Sequence, residues 1–448
     1  METKKRDGFN SRIGALLAII GSAVGLGNLW RFPYVVGENG GGAFILVYLI
    51  IAFGLCTPLM MTELLIGRRG KSNVVGAFKA IDSKSKFYYS GYIFVLASFL
   101  ILSFYSVVGG WVLHYLGESL TFSLSNLSSE DLTLHFKNLV SAPVRPLLLH
   151  FLFMFLTASV VIFGIEKGIE KMSKIFMPIL FIFIVVLAIR SLTLPGAGQG
   201  LNFLFNIDFS KITMNTVFEA LGQSFFSLSL GIGCIITYGS YMRSEENIMK
   251  SSIVVVSSDI LFALIAGLAI IPAVFAFNFE PAAGPGLVFI VLPQIFSQIA
   301  GGSVFQIIFF FILFIAAITS SISLLETVVA YVVEELKITR RKATIYTSII
   351  ITIVGCFCAL SEGALADFKL FGLNFFSLVE TLASNILLPV GSIFIAIFAS
   401  WVMKKEDVVE ELSNYGTIKV KNLGYYFVIV KFVAPIAISF ILIKYLLF

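Results

Sequence analysis

Apolar residues run along this chain in long blocks with short polar breaks between them. Blocks long enough to cross about 30 Å of hydrocarbon as helices number roughly eleven, centred near residues 22, 54, 104, 155, 183, 227, 265, 318, 352, 388 and 435. The breaks on one side carry most of the basic residues: "GRRGKSNVVGAFKAIDSKSK", "EKGIEKMSK", "EELKITRRK" and "KKEDVVEELSN", together with the N-terminal "KKR". The opposite breaks, such as "GESLTFSLSNLSSEDLTLHF" and "NFEPAAGPGLVF", hold few Lys or Arg. Positive charge stays on the cytoplasmic side, so the N-terminus is expected in the cytoplasm of a multi-pass inner-membrane protein. With an odd number of spans the C-terminus falls outside. The basic start before "IGALLAII" reads as an uncleaved signal anchor because many spans follow it.

The first block is interrupted. In "GSAVGLGNLWRFP" (Gly21–Pro33), glycines, an asparagine, an arginine and a proline crowd where a spanning helix should be smooth. An echo sits five spans later, where "SLGIGC" repeats the Gly-x-Gly of "AVGLGN": Gly25/Gly27 against Gly231/Gly233. An odd offset turns the second copy upside down in the membrane. One such pair is usually helix packing. Two at matching places in inverted halves point to a transporter binding site. The expected fold is therefore all-α and integral to the membrane, with about 11 transmembrane helices. A 5+5 inverted repeat (about 10–195 and 213–403) has helices 1 and 6 broken, and one further helix covers about 423–448, all in one domain.

Composition agrees and narrows the chemistry. The 448 residues are 58% hydrophobic and only 13% charged, about half the charge of a soluble domain. A net charge of +5 gives no reason to expect nucleic acid. Cys56, Cys234, Cys356 and Cys358 all fall in apolar runs, which argues against a disulfide framework or zinc site. The three histidines, His114, His135 and His150, are scattered in sequence, which makes metal catalysis an unpromising reading. No nucleophile–base set stands out, so an enzyme is not expected.

The stretches "GSAVGLGNLWRFPYVVGENGGGAF", "GQSFFSLSLGIGCIITYGSY" and "AAITSSIS" resemble the neurotransmitter:sodium symporter family, bacterial amino-acid branch, over nearly the whole chain. The resemblance implies a sodium-coupled symporter that imports a hydrophobic L-amino acid by alternating access. A non-transporting amino-acid sensor or ligand-gated channel of the same fold is the alternative. Physical chemistry gives the break a purpose. Backbone N–H and C=O groups freed inside hydrocarbon need partners, and a zwitterion beside Na⁺ supplies both signs.

The resemblance further implies residue roles. One sodium site would take the Ala23 carbonyl, Asn28, Ser227 and Ser258. A second would take the Gly21, Val24 and Ala316 carbonyls with the Thr319 and Ser320 hydroxyls, the last three sharing one helix face. Hydrogen bonding between helices is the alternative use of Thr319–Ser321. The substrate would lie among Ser22, Ala23, Gly25, Leu26, Gly27, Ile101, Tyr105, Phe226, Ser227, Ser229, Ile232, Ser320 and Leu324. Arg31 with Glu380 (Asp367 being the rival acid) would gate the outer side. Arg6 with Glu334, next to Phe9, Ser240 and Tyr241, would gate the inner side. Asp259 would balance sodium charge in place of chloride, which is not expected as a cofactor, while two Na⁺ ions are. Gly168 and Pro178 would let span five unwind. Glu63 and Glu326 are intramembrane acids with either a functional or a structural part. Oligomeric state is not fixed by any of these features.

Overall fold

The computed structural model describes residues 7–124, 127–280, 286–420 and 422–447. Arg6, proposed for the inner gate, lies outside them. Among the described residues the architecture is helical. The first span is a bent pair, α1 (Arg12–Ala23) and α2 (Gly27–Glu38), meeting at 47°. Then come α3 (Gly42–Gly70) and α4 (Lys86–Leu120). Helix α5 (Ser129–Ser141) lies at 75° to α6 (Arg145–Val161), so it lies across the end of the molecule rather than extending α6. The first half ends with α7 (Ile165–Leu192).

The sixth span is again two pieces, α8 (Met214–Ser227) and α9 (Cys234–Tyr241). Six non-helical residues, 228–233, separate them. After them follow α10 (Ile248–Ala276), the short α11 (Leu287–Gln298), α12 (Gly302–Glu335), α13 (Arg340–Ala359), α14 (Phe375–Val402) and α15 (Leu423–Tyr445). Eight of these helices are long and apolar enough to cross a membrane alone, and the two bent pairs bring the number to ten. The divided α8–α9 pair makes the eleventh span.

Local chemistry explains the interruptions. Helix α1 starts where the Ser11 hydroxyl accepts from the Gly14 N–H, and it ends where Val24 turns extended (φ −73°, ψ 102°). Between α8 and α9 the backbone enters the left-handed region at Ser229 (φ 53°), Gly231 (φ 77°) and Gly233 (φ 83°). Glycine tolerates that region at no steric cost. A side chain on Gly231 would also strike the Ser392 hydroxyl and the Leu388 carbonyl of α14. The break is thus packed against a neighbouring helix as well as turned by its own glycines.

The core is organised around helix α12, of which residues 315–330 are buried throughout. A helix hydrophobic on every side and surrounded by others belongs to the middle of a bundle. By contrast α7 and α15 present large apolar residues outward, among them Ile182, Ile189, Ile436 and Phe440. In a membrane protein such side chains face lipid, since the solvent there is hydrocarbon.

Candidate functional site

The two breaks face each other and are bonded together. The Ser229 hydroxyl donates to the Ser22 carbonyl at 2.8 Å, and Asn28 Nδ2 donates to Ser227 Oγ at 2.9 Å. Several freed backbone groups find side-chain partners. Asn28 Oδ1 accepts from the Gly25 N–H at 3.1 Å, and Gln223 Nε2 donates to the Gly27 carbonyl at 3.1 Å. The Gly231 N–H donates to Glu63 Oε1 at 2.8 Å, and Ser98 Oγ donates to the Ile232 carbonyl at 2.7 Å. Glu63 is therefore a partner for the unwound backbone of span six. An unpaired backbone group in such a setting would cost several kcal/mol.

A cavity of about 40 Å³ lies at the crossing of the breaks. Its walls are Ser22, Ala23, Gly25, Leu26, Gly27, Ile101, Tyr105, Phe226, Ser227, Ser229, Ile232, Ser320, Leu324 and Leu388. The structure thus brings together all thirteen residues that the sequence suggests for the substrate and adds Leu388. The floor at Gly25 is tight. A Cβ there would sit 2.5 Å from Ser320 Oγ and 3.4 Å from the Tyr105 hydroxyl oxygen. Tyr105 also accepts from the Leu26 N–H, at 3.4 Å. A hydroxyl and an amide at the start of a half-helix thus meet at one point.

Beside the cavity is a buried polar cluster. Asp259 of α10 accepts from Asn28 Nδ2 at 2.8 Å, from Ser227 Oγ at 2.9 and 2.8 Å, and from the Tyr48 hydroxyl at 3.4 Å. Asn28 and Asp259 are both fully buried. Asp259, rather than the half-buried Ser258, is thus the α10 residue whose side chain meets Asn28 and Ser227. Phe262, one turn on, packs edge-on against Phe181 at 5.4 Å. Among the described residues, the groups that bond this carboxylate are neutral donors, and a buried carboxylate is costly without a cation beside it.

Two members of the second proposed sodium set, on α1 and α12, stand side by side. A Cβ on Gly21 would stand 3.4 Å from Thr319 Cβ, so these two residues are neighbours. Thr319 Oγ1 bonds back to the Ile315 carbonyl at 2.9 Å and the Ala316 carbonyl at 3.2 Å. Ser320 borders the cavity, and Val24 and Ala316 are buried. Ser321 and Thr157 bond each other at 2.9 Å, the interhelical role that sequence alone left open.

On one side of the central cavity lies a larger one of about 290 Å³. Leu26, Gly27, Tyr105, Phe226 and Leu388 line both, so they form the shared wall. Arg31 and Glu380 both face the larger cavity. Arg31 pairs there with Glu219 at 3.6 Å, bonds Gln223 Oε1 at 3.4 Å, and stands over the Phe226 ring at 5.7 Å. Glu219, which also holds Lys444 at 3.0 Å, and Gln223 went unnoticed in the sequence. Both lie on α8, one turn apart, and their polarity inside an apolar run was the available signal. Asp367 is exposed in a turn.

On the opposite side the described residues pack closely. Phe9 is buried, edge-on to Tyr238 at 5.8 Å and Tyr241 at 6.2 Å. Beneath them the Tyr241 hydroxyl donates to Glu326 Oε1 at 2.7 Å, and Arg340 forms an ion pair with Glu326. Glu334 accepts from Ser72 Oγ at 2.8 Å and the Asn73 N–H at 2.7 Å. Ser240 Oγ donates to the Thr237 carbonyl at 2.6 Å. Gly168 sits in a wide π-type turn, Ile165–Glu170, that opens α7. A side chain at Gly168 would strike the Val160 carbonyl. Pro178 lies inside the same helix. Glu170 in that turn accepts from the Asn10 N–H and Ser11 Oγ, both at 2.7 Å, so the start of α7 holds the start of α1.

The histidines are less scattered than their sequence positions suggest. His150 stands apart, with Nε2 3.1 Å from the Thr352 carbonyl, but His114 and His135 meet at Glu118.

Comparison with known proteins bears on this geometry. The model of the Sodium:neurotransmitter symporter family matches residues 6–134 and 132–447. The chain is similar to an uncharacterized sodium-dependent transporter, YhdH, of Bacillus subtilis, at 40% identity over 98% of this chain and 97% of that one. It is 38% identical to an uncharacterized sodium-dependent transporter of Haemophilus influenzae, over 98% of each. Its fold matches the crystal structure of MhsT in complex with L-phenylalanine, with a TM-score of 0.90 and 42% identity, over 98% of this chain and 99% of that one.

Proposed function

Because this chain belongs to the sodium:neurotransmitter symporter family, we propose that it imports a hydrophobic L-amino acid with two Na⁺ ions by alternating access. The family is sodium-dependent and the chain is a multi-pass membrane protein. Substrate class, ion number and orientation are the proposed parts. The observation that carries the substrate class is the wall of the central cavity. Ile101, Phe226, Ile232, Leu324 and Leu388 are apolar, while the breaks supply amide and carbonyl groups at one end. Apolar walls with a few convergent polar groups are what an amino acid with an apolar side chain requires. That MhsT was solved with L-phenylalanine points the same way.

In this reading the carboxylate lies at the Leu26 and Gly27 amides and the Tyr105 hydroxyl. The ammonium faces carbonyls of Ala23 and Phe226, near Ser320. The first Na⁺ takes the Ala23 carbonyl, Asn28, Ser227 and the substrate carboxylate. Asp259 adds the fixed negative charge that Ser258 lacks, so chloride is not needed. The second Na⁺ takes Gly21, Val24, Ala316, Thr319 and Ser320.

The cycle follows from the two sides. Substrate and ions enter by the 290 Å³ cavity, and Phe226 and Tyr105 in the shared wall close over them. Arg31 then draws toward Glu380. On the inner side Phe9, Ser240, Tyr241, Glu334 and Arg6 release, helped by unwinding between Gly168 and Pro178. The halves, about 10–195 and 213–403, rock as inverted repeats in the cytoplasmic membrane, with the N-terminus inside and the C-terminus outside. Uptake of one labelled amino acid into proteoliposomes, with every common amino acid as competitor, tests the substrate class. Competition by leucine, phenylalanine and other apolar residues is expected, with none by charged ones.

A further inference from the structure

We propose that His114, Glu118 and His135 form a binding site for a divalent transition-metal ion of the zinc class. It lies at the end of the molecule where the larger cavity opens, and it is separate from the sodium sites. His114 and Glu118 are one turn apart on α4, so both side chains share a face. His135 comes from α5, the helix laid across that end.

Three lone-pair donors converge there. The two Nε2 atoms are 3.3 Å apart. Glu118 Oε1 is 3.2 Å from His114 Nε2, and Oε2 is 2.7 Å from His135 Nε2. Two ligands each about 2.0–2.1 Å from a tetrahedral ion lie about 3.3 Å apart. The two distances to His114 Nε2 have that value, and a small rotation of the carboxylate would supply the third. The imidazole rings stack at 5.4 Å and 16°, an arrangement that sets both Nε2 edges toward the same point.

Two imidazoles and one carboxylate favour Zn²⁺ and its neighbours over Mg²⁺ and Ca²⁺, which want oxygen. An ion can reach the site, because the His135 side chain is 25% exposed. Arg145 Nη2 lies 3.4 Å from Glu118 Oε1. In the metal-free protein it is a competing cation for the same carboxylate.

The site would tie α5 to α4. Helix α5 in turn packs Phe136 on Phe289 of α11 at 5.2 Å, and Phe289 meets Trp30 of α2 at 6.1 Å. Trp30 lines the larger cavity, so the ion would brace the packing around the outer cavity.

The test is calorimetric titration of ZnCl₂ into the purified, tag-free full chain in detergent. One equivalent should bind, and MgCl₂ should give no binding. His135→Ala and Glu118→Gln should each weaken Zn²⁺ at least tenfold. Arg145→Gln should tighten it by removing the competing cation, an effect that a purely structural His–Glu–Arg network does not produce. Co²⁺ added to the unaltered protein should show the visible absorption of a four- or five-coordinate ion, a readout that needs no variant to fold. Absence of stoichiometric Zn²⁺ binding, an octahedral Co²⁺ spectrum, or binding unchanged in His135→Ala would each overturn the proposal. None of these readouts depends on transport.

Discussion

Asn28 and Asp259, 231 residues apart in sequence, meet side chain to side chain, with Nδ2 donating to Oδ1 at 2.8 Å. One opens the second half of span one, just after its break, and the other belongs to the unbroken α10. Ser227, at the edge of the second break, completes the group. The acid therefore touches both interrupted spans at the place proposed for a cation. A carboxylate buried there is costly until a cation arrives.

From that follows independence from chloride. Replacing chloride by gluconate should leave transport by the unaltered protein unchanged. Asp259→Asn should lower uptake at least tenfold, and Asp259→Ser should recover part of it when chloride is added. Uptake measured in the two buffers checks all three outcomes. Full activity of Asp259→Asn would show that the charge is not needed.

Sodium affinity should depend on the two proposed sets separately. Asn28→Ala removes the side-chain amide that joins the Gly25 N–H to Asp259, and Thr319→Ala removes a hydroxyl beside Gly21. Each should raise the Na⁺ concentration for half-maximal uptake by about tenfold, about 1.4 kcal/mol of lost binding. Sodium titrations of uptake at fixed substrate measure this directly. An unchanged midpoint in either variant would remove that residue from the set.

At the outer side, Glu380 faces the cavity with Arg31, while Asp367 is exposed in a turn. Glu380→Ala should impair transport several-fold, and Asp367→Ala should leave it near normal. Initial rates in proteoliposomes give the ranking. The reverse order would assign the gate to the other acid.

Stability should rest on a different pair. The Arg68 side chain is fully buried, with Nε 2.7 Å from Glu411 Oε2 and Nη2 donating to the Glu411 carbonyl at 2.7 Å. Removing Arg68 takes the nearest cation from the buried Glu411, which keeps only the more distant Arg69 at 3.6 Å and the Tyr415 hydroxyl among the described residues, so the cost falls toward the lower end of about 3–5 kcal/mol. Arg68→Ala should therefore lower the thermal unfolding midpoint in detergent by several degrees. Arg243→Ala, at an exposed pair with Glu245, should leave it unchanged.

Much of this was legible in the chain. Apolar block length marked most spans, and the glycine pairs marked both breaks: Gly231 and Gly233 because glycine accepts φ near +80° beside a packed helix, Gly25 and Gly27 because side chains of Ser320 and Phe226 leave no room for a Cβ. The thirteen cavity residues were reached through family resemblance, ten of them on the quoted motifs and Ile101, Tyr105 and Leu324 outside those stretches, not through periodicity. What escaped were contacts that no local pattern encodes. Leu388 joins the cavity because a spanning helix 155 residues beyond Gly233 packs against the second break. Tyr48 reaches Asp259 across the bundle. The pairing of Arg31 with Glu219 depends on where α8 stands relative to α2. His114 and His135 looked scattered because the helix that joins them, α5, occupies a stretch that reads as a polar connection.

The central claim is coupling of amino-acid movement to the sodium gradient, and accumulation against a concentration gradient tests it most directly. Purified protein in sealed liposomes, loaded with potassium buffer and diluted into sodium buffer with a labelled apolar amino acid, should concentrate that amino acid well above its external level. The excess should collapse when a sodium ionophore is added. Uptake that only equilibrates, or that proceeds equally in choline buffer, would contradict sodium-coupled symport.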